Sequence, residues 1–132
     1  MDYDVIVVGG GPAGASAAYF NAVEGRKVLL FEKAVFPRDK ICGDGVTGKA
    51  LGILDEMGLS EGIADIKKIS CQEVILSSPN QTILNIPIAS PDDPFTSFCI
   101  EREVFDDLLY QKAVATVLEN GGTVINEKVS QH

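Results

Sequence analysis

The first apolar cluster of the chain is four residues in succession, Val5 to Val8, set between Asp4 and a run of glycines. A run this short and continuous predicts a strand buried on both faces of a parallel sheet. Residues 13–23 are mostly small or apolar helix formers, Gly25 ends them, and residues 27–31 supply a second apolar strand closed by Glu32. Residues 4–32 therefore read as one complete β-α-β unit. Further on, Thr47 has the character of an N-cap for a helix through Leu51, Leu54 and Met57 that stops at Gly58, with a short helical turn over residues 60–66. Two apolar segments, residues 74–76 and 83–88, flank Ser78-Pro79-Asn80-Gln81. Proline second and asparagine third in a four-residue turn predict a β-hairpin, and Pro87 puts its second strand near an edge. Residues 90–95 read as a loop and 96–100 as a short extended segment. Val104, Phe105, Leu108, Leu109, Ala115 and Leu118 form a broad apolar stripe over residues 102–120, which predicts a helix ended by Gly121 and Gly122 and followed by a short strand at 123–126.

The glycines after the first strand bring in chemistry. Gly9, Gly11 and Gly14 have the G-x-G-x-x-G spacing that turns the chain sharply, brings bare backbone to a pyrophosphate and lets the next helix pack closely on the strand. The pyrophosphate would rest on the free N–H groups at that helix's N-terminus. Glu32, at the end of the second strand, is placed to accept hydrogen bonds from adenosine ribose hydroxyls, and it would repel a 2′-phosphate, which argues against NADP. Strand, helix and acid together favour adenine dinucleotide binding over a ligand-free glycine turn. The fold class is α/β: a Rossmann-like β-α-β domain that is incomplete, with a hairpin foreign to its parallel sheet beginning a second, antiparallel sheet.

Composition narrows the partners. Of 132 residues, 45% are hydrophobic and 23% charged, as in an ordinary globular α/β domain or a piece of one. A net charge of -8 argues against nucleic acid and anionic lipid as general partners, so an anionic dinucleotide must be held locally. The absence of a long apolar window, and Asp2 and Asp4 near the start, make a cytoplasmic protein the expectation. Cys42, Cys71 and Cys99 are odd in number and widely spaced, which suggests neither a disulfide framework nor a zinc site. The only histidine, His132, is terminal, and no catalytic triad or metal cluster is visible. Residues 33–48, with Pro37, Gly43, Gly45 and Gly48, read as a glycine-rich loop with a function of its own.

Arg102 stands where it opposes the macrodipole of the helix it begins. One explanation is an exposed ion pair with Asp106 one turn on; the other is that it points at the phosphates of the dinucleotide.

Taken together, DVIVVGGGPAG, VLLFEK, FPRDKICGDGV and IEREVFDDLL resemble the N-terminal part of geranylgeranyl reductase-like flavoproteins, within the wider group of FAD-dependent reductases, aromatic hydroxylases and halogenases with the p-hydroxybenzoate hydroxylase fold. The resemblance runs through nearly the whole chain and covers well under half of a complete family member. Pro37-Arg38 followed by Cys42-Gly43-Asp44-Gly45 is similar to the reductase branch. The resemblance implies FAD as cofactor, held at its ADP half by Gly9, Gly11, Ala13, Gly14 and Glu32. It puts Cys42, Gly43 and Gly45 beside the ribityl chain or flavin ring, with Cys42 a contact residue and not a catalyst, and Arg102 on the phosphates or adenosine. It divides the chain into residues 1–69 (nucleotide unit and flavin loop), 70–100 (start of the substrate-domain sheet) and 101–132 (return to the FAD-binding domain). The implied reaction is hydride transfer from reduced FAD to a prenyl carbon–carbon double bond, with much of the site downstream, so that this chain alone is not expected to turn over. A second chain or dimer completing the site, and a peripheral membrane location for the full-length protein, accompany that reading. A flavin monooxygenase or halogenase and a non-catalytic adenine-nucleotide-binding fragment are the alternatives.

Overall fold

A computed structural model describes residues 2–88, 92 and 97–129; the loop expected at residues 90–95 lies, apart from Asp92, outside the described residues, as does His132. The chain forms two compact units, Met1–Ile41 with Arg102–His132, and Cys42–Glu101.

The first unit contains the β-α-β element in the expected register. Strand β1 (Val5–Val8) leads through the glycine turn into helix α1 (Pro12–Val23) and then strand β2 (Val28–Phe31). The Gly25 N–H donates to the Ala22 carbonyl and the Arg26 N–H to that of Asn21, the paired bonds that close a helix at a glycine of positive φ. β1 and β2 pair in parallel, Val5 opposite Val28 and Val7 opposite Leu30. The chain returns to this unit as a long helix, Arg102–Glu119, and a last strand, Thr123–Ile125, which pairs in parallel with β2. The sheet thus has β2 at its centre.

Only one face of this sheet is covered among the described residues. Val7, Val28 and Leu30 are buried against Ala15, Ala18 and Ala22 of α1 and Leu109, Ala113 and Val117 of the long helix, whereas Ile6 and Val8 are 62% and 66% exposed. This corrects the expectation of a strand buried on both sides. Two crossover connections that progress in one direction across a sheet, each right-handed, set their helices on the same face. Small residues on α1 let the helix pair approach closely, and the core forms there.

In the second unit, β3 (Gly45–Thr47), α2 (Gly48–Glu56), α3 (Ser60–Ala64), β4 (Ile69–Ser70), β5 (Glu73–Ser77), β6 (Ile83–Pro87) and β7 (Ser97–Cys99) follow in order. The long helix and last strand of the first unit are accordingly α4 and β8. β7 is the centre of an antiparallel sheet flanked by β3 and β4, over a core of Val46, Leu54, Met57, Ile63 and Phe98. Thr47 occupies the N-cap position of α2, although its side chain makes no capping bond. β5 and β6 form the expected hairpin as a separate two-stranded sheet; the Gln81 N–H donates to the Ser78 carbonyl at 2.9 Å and closes the turn.

One expectation changes here. Residues 45–47 are a strand rather than loop, and the residue of positive φ in that segment is Asp44, at 56°, not a glycine. The Asp44 carbonyl accepts the Ile100 N–H at 3.0 Å, which holds the turn where β3 begins. β3 pairs with β7, and the second unit begins at Cys42. Among the described residues no helix is long and apolar enough to cross a membrane.

Candidate FAD-binding site

The site in the first unit begins where β1 ends. The Gly9 N–H donates to the Phe31 carbonyl at 2.7 Å, and at Gly9 the backbone turns with φ +104°, a conformation side chains rarely allow. Gly11 is the N-cap of α1 and Pro12 its first residue, with no side-chain cap on the first-turn amides. Such amides carry the positive end of the helix dipole and suit an anion. A Cβ at Gly14 would lie 1.8 Å from the Gly9 carbonyl oxygen, so only hydrogen fits where the helix crosses the turn. Ala13 sits in that first turn and is exposed.

Glu32 is buried and occupied on both oxygens. Oε2 accepts the Gly10 N–H across the turn, and Oε1 accepts the Ala34 N–H at 2.7 Å. The carboxylate thereby ties the glycine turn to the end of β2. A recess of about 280 Å³ opens beside it at the carboxyl ends of the parallel strands, lined by Gly9, Glu32, Lys33 and Lys128 among others. Ligands in open α/β sheets bind outside those strand ends.

Tyr110 of α4 supports the turn from beneath. Its ring stacks on Phe36 with centroids 4.2 Å apart, and its hydroxyl donates to Asn126 Oδ1 at 3.2 Å. Asn126 Nδ2 in turn donates to the Ala34 carbonyl at 2.9 Å. Burial, and next the Glu32 carboxylate, push the Tyr110 phenol above its ordinary value, with the Asn126 contact acting the other way.

Arg102 opens α4 and makes a two-pronged pair with Asp106, Nε to Oδ1 at 2.6 Å and Nη2 to Oδ2 at 2.8 Å. The expected partner is right and the expected exposure is not: Asp106 is 0% exposed. Arg38 shares that carboxylate, with Nη1 3.0 Å from Oδ2 but off the hydrogen-bonding line. Its Nη2 would be 3.4 Å from a Cβ at Gly11, so this guanidinium lies against the glycine turn. Turn, carboxylate and both arginines form one connected set of contacts through Arg38.

Of the residues expected at the site, Gly9, Gly11, Ala13, Gly14 and Glu32 are thus gathered at one end of the sheet, and Arg102 joins them through Asp106. Cys42, Gly43 and Gly45 lie in the second unit: Cys42 and Gly43 are exposed, and Gly45 opens β3 opposite Cys99. Sequence reasoning missed Arg38 as a site residue, along with Asp106 as a shared buried anion and Tyr110. The Pro37-Arg38 pair was the available signal for Arg38.

The family described as FAD dependent oxidoreductase matches residues 4–129. Menaquinone reductase of Mycobacterium tuberculosis is 53% identical over 62 residues, which are 47% of this chain and 15% of that protein. Digeranylgeranylglycerophospholipid reductase 1 of Methanopyrus kandleri is 34% identical over 115 residues, covering 86% of this chain and 28% of its own. Among solved structures, the myxobacterial chondrochloren halogenase, an FAD-dependent halogenase, superposes with a TM-score of 0.75 at 29% identity, over 92% of this chain and 28% of that one. The chain spans under a third of the length of each. With the uncapped turn, the carboxylate and the family match in agreement, the chain belongs to the FAD dependent oxidoreductase family, and FAD is its cofactor.

Proposed function

We propose that this segment is the FAD-binding N-terminal part of a reductase that saturates carbon–carbon double bonds of a prenyl lipid. The observation that carries the reading is the substrate named for two similar reductases: menaquinone and digeranylgeranylglycerophospholipid are both polyisoprenoid lipids. Bound and reduced, FAD supplies the hydride for such a step. The chain's own residues bind and orient. Gly9, Gly11 and Gly14 leave room for the pyrophosphate on the first-turn amides of α1, with Ala13 in that turn. Glu32 offers its remaining lone pairs to ribose hydroxyls while still holding the Gly10 and Ala34 amides, since a carboxylate has about four acceptor sites. Arg38 and Arg102 supply positive charge for the phosphates and are fixed by Asp106. In this reading Cys42, Gly43 and Gly45 contact the flavin side of the cofactor. A prenyl lipid substrate brings the protein to a bilayer surface.

The fold likeness to a halogenase favours a second reading, in which the same FAD site serves halogen transfer. The test separates them. FAD bound to the full-length protein is chemically reduced under nitrogen and mixed with a geranylgeranyl lipid; products heavier by two hydrogens per double bond are expected. Halide incorporation into an aromatic acceptor in air, with the lipid unchanged, replaces the first reading with the second. A full-length protein that retains no flavin overturns both.

A further inference from the structure

Outside the flavin site, the second unit brings together two cysteines that are 28 positions apart in the chain. Cys99 ends β7, and the Cys71 N–H donates to the Ser97 carbonyl at 2.9 Å, extending the β4–β7 ladder by one residue. In that register Ile69 is opposite Cys99 and Cys71 is opposite Ser97, so the two cysteines are diagonal neighbours on one face. Their sulfurs are 3.3 Å apart and in hydrogen-bonding contact, with no bond between them.

Both cysteines are half-buried, and their neighbours leave room for approach. Ile69, on the same face, is 70% exposed. Opposite Cys99 on the other flank stands Gly45, where an added Cβ would meet only the Gly43 carbonyl oxygen, at 3.9 Å. A recess of about 180 Å³ opens on Cys99, lined also by Asp44, Lys67 and Glu101. A small disulfide can therefore reach the sulfurs without displacing the core residue Phe98, which points to the other face.

We propose that Cys71 and Cys99 are an oxidisable dithiol that closes to an intrachain disulfide by exchange with a small-molecule disulfide such as oxidised glutathione. One protein thiolate attacks a sulfur of the small disulfide, whose S–S bond breaks and releases one thiolate. The second protein thiolate attacks the mixed disulfide, forms the Cys71–Cys99 bond and releases the other. Two protein thiols are oxidised, one small disulfide is reduced to two thiols, and the two protons pass to the leaving sulfurs. The hydrogen bond with Cys71, followed by burial, pushes the Cys99 thiol up, so Cys99 keeps its proton longer. Closure ties β4 to β7 and encloses the β5–β6 hairpin in a covalent ring. The inference does not depend on the flavin chemistry.

The experiment is incubation of the folded chain with oxidised glutathione, followed by alkylation and mass analysis. The expected product has lost two hydrogens and two of its three alkylatable thiols, with Cys42 still alkylated. Cleavage after Glu73 should leave the Cys71 and Cys99 peptides joined. C71S should instead carry a stable glutathione on Cys99. Ring closure should be at least about tenfold faster in the folded protein than in urea, because the fold holds the second thiol in place. Stable separate adducts on Cys71 and Cys99 in the unaltered chain, or equal rates folded and unfolded, overturn the proposal.

Discussion

A Cβ at Gly10 would stand 2.6 Å from two ring carbons of Tyr110. The ring cannot swing aside freely, being stacked on Phe36 and bonded through its hydroxyl to Asn126. Gly10→Ala should therefore cost about 1–3 kcal/mol, the usual range for overfilling a packed site, read from urea unfolding. Tyr110→Leu in the same background should recover part of the loss, giving a non-additive double-mutant cycle. Full additivity would show that the contact is not the cause.

Gly14→Ala should be worse than Gly10→Ala. Its new methyl meets a backbone carbonyl at 1.8 Å, and only separation of α1 from the glycine turn relieves that. Loss of more than about 4 kcal/mol, or failure to fold, is the expectation, since effects of that size need a named steric cause. Thermal unfolding of the two variants side by side gives the order.

Glu32→Gln keeps the shape of the side chain and exchanges one acceptor for a donor that faces a backbone N–H. One of the two bonds to Gly10 and Ala34 is lost, at about 1.5–3 kcal/mol for a charge-assisted bond. FAD retention, followed by absorbance after gel filtration, should fall with it. Unchanged stability together with lost flavin would assign Glu32 to the cofactor alone.

Asp106→Ala removes the one carboxylate that two guanidiniums share in a fully buried position. Breaking a buried pair from one side costs about 3–5 kcal/mol, more than the pair contributes when intact, because charge is left without compensation. Arg102→Ala should cost less, since Arg38 still answers Asp106. Denaturant midpoints of the two variants test that order.

The Tyr110 phenol has its pKa raised in the fold, so the folded state holds this proton more tightly than the unfolded one. Its contribution is complete below the ordinary phenol value of about 10 and is lost as pH rises through the higher folded value. Between those two values the stability of the unaltered chain should fall more steeply than that of Tyr110→Phe. Equal slopes would remove the linkage.

The β-α-β unit was legible because its signals are local: an apolar run, glycines at fixed spacing, and a glycine stop. The Arg102–Asp106 pair was legible for the same reason, being one helical turn apart. Its burial was not, because it depends on Arg38, a residue remote in sequence that folding brings back to α4. Tyr110 beneath Gly10 was hidden likewise, since one aromatic among the apolar positions of a helix gives no sign of what it will face. In the second unit, strands of two or three residues such as β4 and β3 are too short to leave a period. Their pairing with β7, which also brings Cys71 to Cys99, exists only in three dimensions.

The sharing of Asp106 has an electrostatic consequence. Two guanidiniums against one carboxylate leave one unit of positive charge on the Gly11 side of the turn, with the Glu32 carboxylate held against Gly10, on a chain whose formal total is -8. The net charge of this chain repels an anion at a distance, and Arg38 with the first-turn amides of α1 draws one in close by, so the approach of a phosphate-bearing ligand is a contest between a long-range barrier and a short-range attractor. Salt screens the distant repulsion more effectively than the close contact. Moderate ionic strength should thus speed capture of the ligand before higher concentrations weaken its hold.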